Sequence, residues 1–300
     1  MKLILPLLFF AAAALPAAEV FEAALGREQE LPGGKEADGI RGDFVLRSNL
    51  VEAVVSQNAP NRRANMSTFY GEDGVTPGCL FDLTLRGADN DQLICYGPVG
   101  HGPVSYVRVV TPQEPGTAAV EAVTTAAKAN GIYKRNEYRV RDAIQGIFIT
   151  STLRNETTKP QKVSTKADFT RFNSTGTAAN LFWVDAVDPA DKAGYAQALL
   201  KVTGADKSGG DIEIAPGAEV VIERFLAVGR SPAEAAGVAL QVRDGKVGTL
   251  TGTLMSNGKP VTTGAVKIPL GSEMVTAYPD DKGIFSVKVV PGSFDITATD

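Results

Sequence analysis

Apolar and polar residues alternate through most of this chain in short runs, which is the two-residue period of a β-strand with one buried face. The clearest run is residues 146–153, and the turn after it leads into residues 162–172, which we expect to pair with it. Residues 43–57 carry apolar side chains on both sides of Ser48-Asn49 and predict a hairpin of two strands. The pattern therefore predicts a mainly β protein.

One stretch has helical rather than strand character. Ser231 is a favourable N-cap, Pro232 suits the first helical position, and Glu234 has the spacing of a capping box with Ser231. The alanine-rich residues that follow favour a helix that ends near Gly245. A shorter helical candidate spans residues 188–200. We expect one or two short helices in an otherwise β protein.

Residues 247–300 form a small all-β unit that is defined by its turns. The turns that separate its apolar-alternating runs are Asn257-Gly258, Pro269-Leu270-Gly271, Asp280-Asp281-Lys282-Gly283 and Pro291-Gly292. The predicted helix before this unit marks a natural domain boundary. The sequence therefore predicts a large sandwich over residues 19–245 and a small Greek-key-like β-sandwich over residues 246–300.

The first residues have the pattern of a secretory signal peptide, which we assign to residues 1–18. Lys2 gives a positive start, an apolar stretch follows, and small residues lead up to Ala18. The alternative is an uncleaved anchor, but the apolar run is shorter than the ~20 residues that a spanning helix needs. We therefore expect a protein exported to the periplasm or the extracellular space, with no membrane span after cleavage.

Composition narrows the class of protein further. The chain has 300 residues, of which 44% are apolar, and its formal net charge is −4. This is enough apolar material for a substantial core. The acidic balance is opposite to the basic surface that binds nucleic acids. We therefore expect no nucleic-acid partner.

The two cysteines are Cys79 and Cys95. In an exported protein they can form a disulfide, which would close a loop of about 15 residues and add on the order of 3 kcal/mol to the stability. The alternative is a pair of buried thiols. The sequence leaves both possibilities open, because spacing alone does not fix the geometry that the bond requires.

The candidate chemistry of the chain is limited by its one histidine, His101. Zinc and two-metal hydrolase sites usually draw on several histidines. His101 lies in a loop rich in Gly and Pro, with no second catalytic group identifiable beside it. Asp89-Asn90-Asp91 offers oxygen ligands to calcium but lacks the rest of an EF-hand loop. The sequence thus predicts no catalytic residue, metal ligand or cofactor, and leaves open whether the protein is an enzyme.

The aromatic residues provide a candidate ligand site. Trp183 and Tyr195, together with Phe182 and Tyr70, can form a platform on which a sugar ring stacks. The simpler interpretation is that these side chains fill the core of the sandwich. If the chain binds a carbohydrate, Trp183 and Tyr195 are the residues at which we expect it.

A recognisable series of short motifs runs through the C-terminal stretch. The motifs are Gly252-Thr253-Leu254, Asn257-Gly258-Lys259-Pro260-Val261, Gly264-Ala265-Val266-Lys267-Ile268, Asp281-Lys282-Gly283-Ile284-Phe285 and Val290-Pro291-Gly292-Ser293-Phe294. With these motifs the stretch resembles the carboxypeptidase-regulatory-like module, a small β-sandwich of the transthyretin-like or starch-binding-like type. Tyr278-Pro279 departs from the Thr-Asp pair that is usual there. The resemblance implies a carbohydrate-binding-like fold in an accessory domain.

The larger region has motifs of its own: GDFVLRSN at residues 42–49, GCLFDL at 78–83 and ITSTLRNET at 149–157. Together they resemble the N-terminal half of secreted metallohydrolases of the CehA/McbA type. In that family a β-supersandwich-like region and a regulatory-like module precede a metal-dependent PHP-type hydrolase domain. The resemblance implies a supersandwich-like fold for residues 19–245. The His-rich catalytic domain of the family is not among these 300 residues.

Two functions of different classes are compatible with these observations. The first is an exported, non-catalytic binding or scaffold protein whose partner is a carbohydrate or a protein domain. The alternative is the N-terminal accessory part of a metal-dependent PHP-type hydrolase whose catalytic domain lies beyond Asp300.

Overall fold

The computed structural model describes residues 18–60, 62–63, 76–100, 102, 104–112, 114–170, 175–185, 192–206 and 210–299. Its strands are β1 (Glu19–Glu22), β2 (Phe44–Arg47), β3 (Val51–Val55), β4 (Leu80–Leu85), β5 (Cys95–Gly97), β6 (Tyr106–Val110), β7 (Thr117–Thr124), β8 (Ile132–Arg141), β9 (Gly146–Asn155), β10 (Gln161–Ser164), β11 (Asp168–Thr170), β12 (Thr175–Ala178), β13 (Leu181–Asp185), β14 (Gly194–Thr203), β15 (Asp211–Ile214), β16 (Glu219–Gly229), β17 (Gly248–Thr253), β18 (Met255–Ser256), β19 (Lys259–Pro260), β20 (Ala265–Leu270), β21 (Glu273–Ala277), β22 (Ile284–Val289) and β23 (Thr297–Thr299). The helix α1 spans Pro232–Asp244, and short 3-10 turns lie at Glu28–Glu30 and Ala126–Lys128.

Two antiparallel sheets form the body of the protein. One has six strands in the order β1-β2-β3-β4-β5-β11, and the other has eight in the order β12-β13-β14-β16-β9-β8-β7-β6. Their facing sides share one hydrophobic core, which includes Leu46 and Leu83 from the first sheet and Ile149 and Leu226 from the second, all fully buried. The predicted mainly β fold, with a large sandwich, is confirmed.

The centre of the eight-stranded sheet is β9, the run with the clearest alternation. Its neighbours are β8 on one side and β16 on the other. The expectation that residues 162–172 pair with this strand is therefore wrong. β10 instead pairs with β15 in a separate two-stranded sheet. Alternation predicts that a strand forms, but it does not identify the partner when the partner is distant in sequence.

The hairpin predicted over residues 43–57 is confirmed. β2 and β3 pair in antiparallel fashion across the turn. The Ser48 hydroxyl accepts hydrogen bonds from the backbone N–H groups of Leu50 and Val51, both at 3.2 Å. This side chain therefore supplies acceptors that the tight turn cannot provide from its own backbone.

The predicted helix is confirmed as α1, with the predicted caps. The Ser231 hydroxyl accepts from the N–H of Glu234 at 3.2 Å, and the Glu234 carboxylate accepts from the N–H of Arg230 at 2.9 Å. The second bond of the capping box thus goes to the residue before the N-cap. Gly245 ends the helix in the left-handed region, with φ of 71° and its N–H donating to the Gln241 carbonyl.

The second helical candidate, residues 188–200, is wrong where the structure describes it. Residues 194–200 belong to β14, which is paired with β13 and β16 along its length. These long-range backbone hydrogen bonds outweigh the helix propensity of its Ala and Leu residues. Residues 186–191 lie outside the described part. Within the described ranges, α1 is the one α-helix.

The C-terminal module, residues 246–299, packs against α1. It consists of the pair β17-β22, the hairpin β18-β19 and the three-stranded sheet β21-β20-β23. One hydrophobic cluster runs from Phe225 on the eight-stranded sheet, through Ala236 and Leu240 of α1, to Ile268 and Val287 of the module. The helix is therefore a layer between two β structures. The domain division at residue 245 stays a prediction, because this cluster joins the two parts.

In the described part of the chain, no helix combines the length and the apolar character that crossing a membrane requires. Residues 1–17, nearly all of the expected signal peptide, lie outside that part. The signal peptide and the export of the protein therefore stay predictions.

Candidate functional site

The inward face of β8 has two polar residues within an apolar series. Alternate positions of a strand share one face, and on β8 one such set is Ile132, Lys134, Asn136, Tyr138 and Val140. Tyr138 and Val140 lie in the core between the sheets, and Ile132 lies in an adjacent apolar cluster. Lys134 and Asn136 thus occupy positions at which a sandwich normally has apolar side chains.

Cross-strand neighbours extend this polar area. Thr124 of β7 is opposite Lys134, and Ser151 of β9 is opposite Asn136. The fully buried Ser151 hydroxyl donates to the Asn136 carboxamide oxygen at 2.8 Å. The carboxamide of Asn136 is therefore oriented by its neighbour. We call these four residues, Thr124, Lys134, Asn136 and Ser151, the polar island.

A cavity of about 120 Å³ adjoins the polar island and is lined by Thr124, Lys134 and Asn136. Gly100 and Gly102 also line it. Their φ angles of 82° and 144° are ones that L side chains rarely adopt. At these two positions the lining is therefore backbone without a side chain. Since a water molecule takes up about 30 Å³ in the liquid, the cavity has room for a small polar group.

Lys134 brings a positive charge to this cavity without a counter-charge among the described residues. Its side chain is half-buried, and burial lowers its pKa with no described carboxylate to oppose the effect. Lys128, which also lines the cavity, differs because its ammonium donates to the Val104 carbonyl at 3.1 Å. A partly desolvated cation is costly until an anion accompanies it. The cavity is therefore suited chemically to an anionic group.

Buried ionisable groups of a different kind lie in the six-stranded sheet. Asp82 and Asp91 are fully buried, and Asp82 accepts from the N–H groups of Asp38 and Gly39 at 2.8 and 3.0 Å. Asp91 accepts from the N–H of Leu83 at 2.7 Å, while its other oxygen has no hydrogen-bond partner in the described structure. Burial raises the pKa of Asp82 to about 8 and the pKa of Asp91 well above its ordinary value. These carboxyl groups bind backbone and so serve the fold.

The described residues contain no group of three or more His, Cys, Asp or Glu side chains placed to hold a metal ion. The side chains of Asp89-Asn90-Asp91, the run considered for calcium, each make hydrogen bonds within the protein. Asp89 accepts from the N–H of Gly33 at 3.0 Å, and Asn90 accepts from the Thr84 hydroxyl at 2.5 Å. Asp91 is buried as described above, so each side chain of the run has its own structural role.

Trp183 and Tyr195 lie on opposite faces of the eight-stranded sheet. In the register of β13 and β14, Trp183 is opposite Ala196 and Val184 is opposite Tyr195. Trp183 and Ala196 belong to the cluster beside α1, whereas Val184 and Tyr195 belong to the core between the sheets. The two aromatic residues therefore do not form one stacking platform. Tyr70, another expected member, lies outside the described residues.

Each of these two aromatic residues has its own polar contact. The half-buried Trp183 donates its indole N–H to the Glu273 carboxylate of the C-terminal module at 3.3 Å. Tyr195 is only 1% exposed, and its hydroxyl accepts from the N–H of Gln92 at 2.9 Å and donates to Asp91 at 3.4 Å. Tyr195 is thus a core residue. The ligand roles of Trp183 and Tyr195 stay predictions.

Cys79 and Cys95 are both buried, in one small apolar cluster with Phe81 and Ile94. The structure has both as thiols. The disulfide between them stays a prediction. Cys79 also lines the cavity beside the polar island, so oxidation at this position would alter the cavity wall.

The sequence does contain a signal for the polar island. By residue type, Lys134 and Asn136 look like the solvent side of an alternating strand. Counting in steps of two from Tyr138 and Val140 instead places both on the apolar side. His101, the sequence neighbour of the two glycines in the cavity wall, lies outside the described residues.

No family model matches the sequence, and no curated protein matches it either. Among solved structures, a TPR-domain containing protein from Parabacteroides distasonis is similar with a TM-score of 0.43 and 10% identity, over 73% of this chain and 56% of that one. A heparan sulfate lyase, HepC, from Pedobacter heparinus is similar with a TM-score of 0.38 and 8% identity, over 82% and 41%. A polysaccharide lyase is similar with a TM-score of 0.35 and 12% identity, over 78% and 42%.

The chain therefore spans about half of the length of these proteins or less. Likeness at this level does not identify a function. The function of the chain has to be inferred from its own residues.

Proposed function

We propose that this chain is an exported, non-catalytic binding protein that recognises an anionic group on a carbohydrate. The observation that carries the proposal is Lys134, a cation on the core face of a sheet, beside a cavity and without a described counter-charge. Proteins break the apolar pattern of a core mainly where function requires it. An incoming carboxylate or sulfate would provide the counter-charge that the described residues do not supply.

The rest of the polar island favours a sugar as the carrier of that charge. Thr124 and Asn136 line the same cavity and bring hydroxyl and carboxamide groups, which pair with sugar hydroxyls in both directions. At about 120 Å³ the cavity holds the charged substituent and its immediate neighbours rather than a whole chain. The ligand class that fits is an acidic saccharide, such as a uronic acid or a sulfated sugar.

The proposal is tested by calorimetric titration of the purified chain with an oligogalacturonide and with a neutral oligosaccharide of equal length. We expect binding of the acidic saccharide alone, weakened by added salt. Lys134→Gln should weaken it at least about tenfold, which corresponds to about 1.4 kcal/mol. Lys259→Gln is the matched control, because Lys259 is exposed and lies in the C-terminal module.

The outcomes separate the parts of the proposal. If Lys134→Gln bound the acidic saccharide as tightly as the native chain does, Lys134 would not be part of the binding site, and the proposed site would be wrong. If the chain bound sulfate or acetate but no acidic saccharide in a glycan array, the site would bind anions, and the proposal of a carbohydrate ligand would be wrong.

The second candidate function is docking to a further protein domain, as in the accessory half of a PHP-type hydrolase. Nine large apolar side chains are exposed in the described residues, and five of them lie in the C-terminal module: Met255, Met274, Ile284, Val290 and Ile296. Exposed apolar side chains that concentrate in one region favour an interaction surface.

The coding sequence downstream of Asp300 tests this second function. An open frame with His-x-His and further His and Asp pairs would support the hydrolase. A stop codon there would count against it.

A further inference from the structure

A second cavity, of about 240 Å³, lies between α1 and the C-terminal module. The helix contributes Ala233 and Ala236 to its lining, and the module contributes Ile268, Val287 and Phe294. All of these side chains are apolar, so the chemistry of this cavity is opposite to that of the polar island.

The cavity results from the small residues of α1. At Gly237 the helix touches the module so closely that a Cβ atom would lie 2.3 Å from the Lys288 carbonyl oxygen. Beside this contact, Ala233 and Ala236 extend only one methyl group each towards strands that contribute Val and Ile. The helix therefore comes closest to the module at Gly237, and a gap lies beside this contact.

Nearly all of the side chains that line the cavity are apolar, and its polar surface is mostly backbone. Lys288 is the one charged residue in its described lining, and its ammonium donates to the Gln241 side chain. A cavity of 150 Å³ lined by Leu, Ile and Phe stays dry and binds benzene. At about 240 Å³ this cavity has room for a larger ring system. Val290, 53% exposed, lies among the lining residues and places apolar surface at its mouth.

We infer that the cavity between α1 and the C-terminal module is a binding site for a neutral apolar ring compound of about the size of indole. The site is separate from the polar island and does not depend on the function proposed for it. A compound of this kind replaces the dispersion contacts that the alanine methyl groups leave unmade. It needs no counter-charge and no hydrogen-bond partner.

The experiment is a titration of the purified chain with 5-fluoroindole, followed by fluorine NMR. We expect a saturable shift. Ala236→Leu should weaken the affinity at least about tenfold, because the larger side chain fills the cavity, and it should keep or raise the melting temperature. Ala127→Leu is the matched control and should bind as the native chain does, because Ala127 is exposed and remote in sequence.

A variant at the mouth keeps the test decisive if Ala236→Leu does not fold. Val290→Glu changes an exposed residue and should weaken the affinity severalfold. The inference is overturned if the native chain shows no saturable shift. It is also overturned if every folded variant keeps the native affinity, or if myo-inositol, a polar ring compound, binds equally well.

Discussion

Two places in the sandwich hold desolvated ionisable groups and balance them differently: the carboxylates in and beside the six-stranded sheet, and Lys134 in the polar island. In the six-stranded sheet, Asp82 accepts two backbone N–H groups. Asp43, which directly precedes β2, is paired with Arg62 at 2.7 Å. In the eight-stranded sheet, Lys134 has no such compensation among the described residues. A cavity adjoins Lys134 at that point.

This difference separates structural charge from charge kept for a ligand. A buried charge that has a partner inside the fold belongs to the structure, and removal of that partner lowers the stability strongly. A charge that is left unmatched beside a cavity lowers stability until a ligand arrives. Removal of the cation should therefore have opposite effects on stability at Arg62 and at Lys134.

The largest effect is expected for Arg62→Ala. Arg62 and Asp43 are 7% and 0% exposed, so the variant leaves Asp43 buried without its cation. We expect the free energy of unfolding to fall by about 3–5 kcal/mol, measured by denaturant titration. Lys162→Ala is the control, because the ion pair of Lys162 with Asp211 is exposed, and such pairs contribute about 0–1 kcal/mol. Equal losses in the two variants would contradict the comparison.

The next effect concerns pH and the variant Asp91→Asn. Burial raises the folded-state pKa of Asp82 and Asp91 above the unfolded value near 4. Their protonation therefore stabilises the folded protein. This contribution is complete below about pH 4 and is lost as the pH rises through the folded value, about 8 for Asp82.

Asp91→Asn keeps one acceptor oxygen and cannot ionise. We expect unfolding free energies, measured from pH 5 to pH 8, to fall less steeply in the variant than in the native chain. At pH 8 the variant should gain about 1–2 kcal/mol. The exposed Asp89→Asn is the control, for which we expect no comparable gain. A parallel decline in the native chain and Asp91→Asn would disprove the role of Asp91.

The smallest effect is expected for Lys134→Met. An unbranched apolar side chain of similar length removes the desolvated ammonium from the cavity. We expect a gain of about 1 kcal/mol in the free energy of unfolding, together with loss of binding to the acidic saccharide. Thermal and denaturant unfolding measure the first, and calorimetry measures the second. A loss of stability would show that Lys134 has a structural partner and, like Arg62, serves the fold.

Local features of the fold could be predicted from the sequence, and pairings between distant strands could not. The hairpin around Ser48 and the caps of α1 at Ser231 and Gly245 depend on neighbouring residues, and these predictions are confirmed. The composition of residues 188–200 favours a helix, and only the pairing of β14 with β13 and β16 makes its part of this range a strand. Such pairing depends on residues far along the chain.

The candidate site follows the same division. The inward position of Lys134 can be read from its even spacing to Tyr138 and Val140. The absence of a described counter-charge cannot be read from the sequence. It depends on which side chains the six-stranded sheet and the loop with Gly100 and Gly102 place next to Lys134. The opposite faces of Trp183 and Tyr195 likewise follow from a register that the sequence does not reveal.

Because Gly237 has no side chain, the backbone of α1 lies directly against the backbone of β22 at this position. The distance between α1 and β22 is set there by backbone meeting backbone, 2.3 Å from where a Cβ would be. Any side chain at this position has to move the helix away from the C-terminal module. One methyl group at residue 237 would therefore increase the separation of α1 and β22 and change the shape of the neighbouring cavity.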